Sequence, residues 1–216
     1  MRAAGVVSLV LILLCAVGLI LTGAFRFLAG MVISAAFLVY AVRKKNKDGK
    51  MAYAGGVLAN VLLILFMNSV PPSFDSGLKW QYPFQRGLIG VYQNIHEPEY
   101  FPDITELDCR EYRFFYIPAI MQGSGVYCVD VTLSQSDASI MRERYSAMAK
   151  ASLPISEEDK KQFADSYGEG FLMIHTPNGV SDNAEVYVLD AVLSSNHPHS
   201  SAVIIDGDRV VFSQLG

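Results

Sequence analysis

Three long stretches without charge dominate the first seventy residues and leave this chain few places to fold. Residues 3–24 form an uninterrupted apolar run of 22, rich in Leu, Val and Ile. At 1.5 Å per residue such a helix is about 33 Å long, enough to cross a hydrocarbon core of about 30 Å. Residues 27–42 are a second run of 16, which reaches spanning length if Phe25 and Arg26 join it and the guanidinium snorkels to the interface. Residues 51–70 are a third run of 20, closed by Pro71 and Pro72. Only helices and closed barrels satisfy their backbone groups in lipid, and runs this long and apolar read as helices. The sequence therefore predicts a membrane region over 1–70, with three transmembrane helices at about 3–24, 25–42 and 51–70.

Charge gives that region a direction. Residues 1–70 hold seven basic side chains and one acidic, a net of +6, whereas the remainder holds ten basic and twenty acidic, a net of −10. Arg43, Lys44, Lys45, Lys47 and Lys50 crowd the short loop between the second and third runs, with only Asp48 against them. Short loops rich in Lys and Arg stay in the cytoplasm, so the third helix runs outward and everything after it is extracytoplasmic. Arg26 is the single charge against this scheme. A cleaved signal peptide is the rival reading of residues 3–24, with Thr22-Gly23-Ala24 as the cleavage site, but the run exceeds an ordinary signal core. The expected placement is a multi-pass protein of the cell membrane. The acidic remainder argues against nucleic acid as a partner, because such binders carry a basic face. Lipid is the partner of the first seventy residues.

In the third run Gly55, Gly56 and Asn60 supply small and polar side chains at close-packing spacing. Their first expected use is packing within the chain's own helices, and homodimerisation is the second. No acid or base sits in mid-membrane, so nothing suggests an ion path.

Residues 71–86 read as a linker near the interface, where Trp80, Tyr82 and Phe84 alternate and would rest at headgroup level, with a first strand of the domain as the alternative. Residues 87–216 read as an α+β domain with an antiparallel sheet and two helices. The runs 112–120 and 126–133 predict a hairpin, with Pro118 marking an edge or bulge. Helices are expected over 136–151, where Met141, Tyr145 and Met148 share a face, and over 156–168, opened by Ser156 and closed by Gly168. Strands over 170–175, 184–193, 202–205 and 209–213 predict a four-stranded meander. Core positions are expected at Tyr116, Ile120, Val129, Val131, Tyr145, Phe163, Phe171, Met173, Val186, Val188, Val192, Val203, Ile205 and Val211.

Signals of chemistry are sparse. Cys109 and Cys128 are the only cysteines beyond the membrane region and form a candidate disulfide, closing a loop of about 20 residues for roughly 3 kcal/mol. Glu97, Glu99, Asp103, Glu106, Asp108 and Glu111 place six carboxylates in fifteen residues. Their spacing matches no calcium loop, and a solvated acidic segment, with a short helix opening at Asp103, is the simpler reading. His197 and His199 share a Ser-rich stretch and lack a third ligand to complete a metal site. Ser76-Gly77-Leu78-Lys79 and Ser181-Asp182-Asn183 match two of three penicillin-recognising motifs, but K-T-G is absent and the pair reads as coincidence. No cofactor, metal or catalytic residue is expected. The sequence points to a non-enzymatic extracytoplasmic domain that binds, senses or scaffolds, with another envelope or membrane protein as partner. The alternative is a hydrolase whose groups are dispersed, drawing on His96 or His175 with carboxylates from 97–111.

Overall fold

The computed structural model describes residues 2–43, 55, 58–59, 61–63, 65–66, 69, 71–93, 97–119, 125–154, 175–192 and 199–216. They fall into two compact units, one of residues 1–72 with 83–96 and the other of 73–82 with 97–216.

In the first unit α1 (Arg2–Thr22) and α2 (Phe25–Arg43) form a tight helical hairpin. Gly23 makes the turn with φ at 69°, the left-handed conformation that a residue just past a helix end adopts. Its N–H donates to the Leu19 carbonyl at 2.8 Å. The Thr22 hydroxyl donates to the Gly18 carbonyl at 2.7 Å and accepts from the Ala24 N–H at 3.2 Å. Gly18 lets the helices close, because a Cβ there would lie 2.7 Å from the Phe27 ring. Among the described residues one helix, Gly5–Thr22, is long and apolar enough to cross a membrane, and Phe25–Tyr40 is a shorter apolar one. One or two candidate spans are therefore seen rather than three. The second falls short because its uncharged run is about 24 Å long against about 30 Å of hydrocarbon. Most of the third run, including Gly56 and Asn60, lies outside the described residues, as does the basic loop from Lys44 to Lys50. The described positions between 55 and 69 are helical.

Residues 71–86 hold β1 (Phe74–Ser76), a 3-10 turn (Lys79–Gln81) and the start of α3 (Tyr82–Gln93), rather than an open linker. The second unit is built on one seven-stranded sheet. After β1 come β2 (Glu111–Ile117), β3 (Val126–Thr132), α4 (Gln135–Met148), β4 (Ala151–Pro154), β5 (Glu185–Val192), β6 (His199–Asp206) and β7 (Arg209–Leu215). The spatial order is β1-β2-β3-β7-β6-β5-β4, antiparallel throughout. The expected hairpin is β2–β3. Pro118 stands just past the end of β2, an inner strand, so it ends pairing rather than marking an edge. The meander is β5–β6–β7, extended on one side by β4, whose first residue, Ala151, was expected to end a helix and whose other three had no expected element. The helix expected at 156–168 lies outside the described residues, as does the strand expected at 170–175 except for His175, which is helical rather than extended.

Alternation along the strands gives the sheet two different faces. One carries Phe74, Phe114, Tyr116, Tyr127, Val129, Val131, Phe212, Val203 and Ile205, all buried. Tyr82, Phe101, Ile104 and Tyr145 cover it, with ring centroids 5.2 Å apart for Tyr82–Phe114 and 5.8 Å for Tyr145–Phe212. The opposite face buries Cys128, Val186, Val188, Ala202, Ile204 and Val211 around Ala184. Of the expected core positions, Val192 is exposed at the end of β5, and Ile120, Phe163, Phe171 and Met173 lie outside the described residues. Ser134 caps α4, accepting from the Asp137 N–H at 3.1 Å. This helix buries Ala138 and Tyr145 but leaves Ile140 and Met148 exposed, so its inward stripe is narrower than the sequence pattern indicated.

Candidate functional site

One group of polar residues lies at the end of the sheet where β2 begins, β3 ends and the β6–β7 turn closes. A cleft of about 750 Å³ opens there, lined by Asp108, Arg110, Ser134, Gln135, Ser139, Arg142, Gly207 and Asp208. Arg110 donates to the Leu133 carbonyl at 2.8 Å and pairs with Asp208, whose own carbonyl accepts from the Leu133 N–H at 2.9 Å. Arg142 reaches from α4 to Glu185 on β5 at 3.0 Å.

A smaller cleft of about 340 Å³ lies beside it, lined by Glu111, Tyr112, Arg113, Asp130, Thr132, Asn178 and Arg209. Here the charges form a lattice across strands. Arg113 on β2 grips Asp75 on β1 with two bonds of 2.7 and 2.8 Å, which holds the Asp75 carboxyl below its usual range. Arg113 also donates to Asn178, and the Asn178 amide donates to Asp130 on β3 at 2.8 Å. Asp130 in turn receives Arg209 of β7 through two bonds of 2.9 and 2.7 Å. The remaining Arg209 nitrogen donates to the Gly179 carbonyl at 2.8 Å, tying the 176–179 turn to the sheet. Two-pronged arginine–carboxylate pairs fix direction as well as distance, so the lattice is rigid where it meets water.

His175 is the buried counterpart of this polar surface. Its ring is fully enclosed, with Nδ1 2.8 Å from the Ser213 hydroxyl and Nε2 2.7 Å from that of Ser200. Burial pushes its pKa down to about 4. A neutral imidazole with each nitrogen against a hydroxyl is held in place, and no solvent reaches it. That environment does not suit a general base, which needs access to a substrate proton. His96 lies outside the described residues.

The remaining candidates separate. Cys109 and Cys128 are free thiols. Cys128 stands opposite Phe115, six residues along the strand from position 109, so roughly 20 Å of chain divides the two sulfurs where a disulfide needs Cα atoms within about 7 Å. Burial pushes the Cys128 thiol up to about 12. The acidic segment disperses. Glu97 accepts from the buried Tyr82 hydroxyl at 2.6 Å, Asp103 accepts from the Thr105 N–H at 2.9 Å in a turn, and Glu111 accepts from Thr132 at 3.2 Å. Among the described residues no three His, Cys, Asp or Glu side chains are grouped to hold a metal. His199 lies 3.5 Å from Asp190, and His197 lies outside the described residues. Ser76 donates to Gln81 at 2.8 Å and Ser181 to Asp206 at 2.5 Å, so the two motif-like serines serve local turns. Of the three aromatics expected at headgroup level, Trp80 and Phe84 are exposed, but Tyr82 is core. Gly55 has open space where a Cβ would stand, and Arg43 closes α2.

The sequence reading missed the arginine lattice. Its members Arg113, Asp130 and Arg209 stand one on each of β2, β3 and β7 and meet only through strand register, which no single strand reveals. No family model, no curated protein and no solved structure matches this chain.

Proposed function

We propose that the chain is a multi-pass protein of the cell membrane, anchored by three helices, and that its extracytoplasmic sheet domain is a non-enzymatic binding module. Its recognition surface is the polar end of the sheet, and its partner is another envelope or membrane protein. The pre-paired arginine lattice carries this reading. The two clefts together present Arg110, Arg113, Arg142 and Arg209 against Asp108, Glu111, Asp130 and Asp208, a balanced set. Arginine is enriched at protein interfaces, and groups already held in register lose little freedom on binding. Small-molecule sites, by contrast, are concave and mostly apolar. Orientation is supported by the five cations between residues 43 and 50.

Two measurements test the two parts. Asn46→Cys should resist an impermeant maleimide in intact cells while Ser139→Cys, exposed on α4, reacts; the reverse pattern inverts the topology. A photo-crosslinker at Ser139 should yield a defined product with a second protein. Arg110→Ala should cut that yield about tenfold, the effect of roughly 1.4 kcal/mol. An undiminished yield rejects the polar end as the interface.

A further inference from the structure

Helix α3 turns an apolar face outward. Within the first unit its buried positions are Gln85 and Ile89, both fully enclosed, while its exposed positions are Pro83, Phe84, Gly87 and Val91. Val91 is 81% exposed and Phe84 46%. A helix that packs on a body in water buries its apolar side and shows a polar one. Here a glutamine faces in beside Ile89, and the outward side carries a phenylalanine and a valine with no charged residue among its exposed positions, the arrangement favoured where the surrounding medium is apolar and polar groups serve as contacts between helices.

What Gln85 does inside supports the same environment. Its amide Nε2 donates to the Thr22 carbonyl at 2.8 Å, at the C-terminal end of α1. The carbonyls of Gly18 and Leu19 are taken by the Thr22 hydroxyl and the Gly23 N–H. In water the last carbonyls of a helix can be left to solvent, but in lipid each must find a partner within the protein. Two of the last four carbonyls of α1, those of Leu19 and Thr22, thus have internal partners, and Gly18 one turn earlier has a second donor. Arg26 completes the hairpin turn, its guanidinium 4.6 Å from the centre of the Tyr92 ring and 5.4 Å from that of Phe27. A cation over aromatic faces suits the headgroup layer, where amphipathic rings also collect. The outward apolar surface is continuous in kind with that of the hairpin, where Leu13, Ile20 and Phe25 are likewise exposed.

We propose that α3 is an interfacial membrane helix, docked on the turn of the α1–α2 hairpin through Gln85 and seated in the outer leaflet with Phe84 and Val91 among the upper acyl chains. Its partner is the lipid bilayer. This rests on the membrane reading above, and the test keeps the two apart. The full-length chain carrying Cys15→Ala and Cys109→Ser, with the buried Cys128 retained, takes one nitroxide at a time at Val91→Cys, Leu13→Cys or Ser139→Cys in phosphatidylcholine vesicles. Collision with oxygen, which partitions into lipid, is compared with collision with a water-soluble nickel chelate. The oxygen-to-nickel ratio at Val91 should approach that at Leu13 and exceed that at Ser139 several-fold. If Val91 matches Ser139 while Leu13 remains in lipid, α3 lies in water and the proposal falls with the anchor intact. If Leu13 is also in water, the anchor fails and the proposal with it. Mutual broadening of Val91 nitroxides that vanishes on dilution with unlabelled chain would assign the face to a second copy, and would overturn the lipid assignment.

Discussion

His175, enclosed between Ser213 and Ser200, makes the sheet domain sensitive to acid. Its pKa is about 4 in the folded chain against the ordinary 6.5, so between those values the unfolded chain takes a proton that the folded chain refuses. Above pH 6.5 both states are neutral and the ring contributes no pH slope. As pH falls below 6.5 stability declines, by roughly 3 kcal/mol at the foot of the window. Denaturant midpoints of the full chain in detergent should therefore drop between pH 6.5 and 4. His175→Gln should flatten that drop, since an amide can meet two hydroxyls without titrating. The thiols provide a second residue-scale expectation. Cys109 is half-buried and Cys128 enclosed, with both pKa values raised by burial. Alkylation of the native protein followed by mass spectrometry should modify Cys109 slowly and Cys128 only on unfolding. A non-reducing gel shift would contradict the free thiols. Neither residue's setting could be read along the chain, because the hydroxyls about His175 arrive from β6 and β7 and the distance between the cysteines depends on strand register.

At the scale of elements, Gly18 and Arg209 each hold two pieces of structure together. Gly18→Val drives a branched side chain into the Phe27 ring, which should cost about 1–3 kcal/mol of hairpin packing. Adding Phe27→Ala should recover part of the loss, read as the thermal aggregation temperature in detergent. Arg209 joins β7 to Asp130 on β3 and to the 176–179 turn. Arg209→Lys keeps the charge but loses the two-pronged grip, and should cost about 1–2 kcal/mol by urea unfolding, with a tenth of that effect rejecting the lattice as a structural device. Strands β2, β3, β5, β6 and β7 were legible because β-branched and aromatic residues run between clear turn signals. By contrast β1 and β4, of three and four residues, carry too few positions for a period to show. Helix α3 was hidden for a different reason. Its two glycines, its inward glutamine and its outward valine contradict the pattern by which a water-facing helix is recognised.

At the scale of the molecule, the two units exchange chain at Tyr82, which belongs to the core of the sheet domain although α3 continues into the other unit. A fragment beginning at 97 lacks β1 and the ring that covers Phe114, whereas one beginning at 73 keeps both. The longer fragment should melt cooperatively and the shorter one at a midpoint lower by at least 5 °C, as expected of losing a buried aromatic. A midpoint unchanged by the truncation would show that β1 and Tyr82 are dispensable. Charge segregation marks a change near residue 70 but not the grouping of 83–96 with the first unit, and the sheet order was not legible either, because pairing of β3 with β7 spans most of the domain and leaves no local trace. That order has a consequence for how the protein is made. Among the described strands, β1–β3 pair as one set and β4–β6 as another, and the two sets pair only through β7. A chain still leaving the ribosome holds two half-sheets with no strand pairing between them until residues 209–215 arrive. Until then each half-sheet carries an unpaired edge, the kind of edge that a chaperone guards.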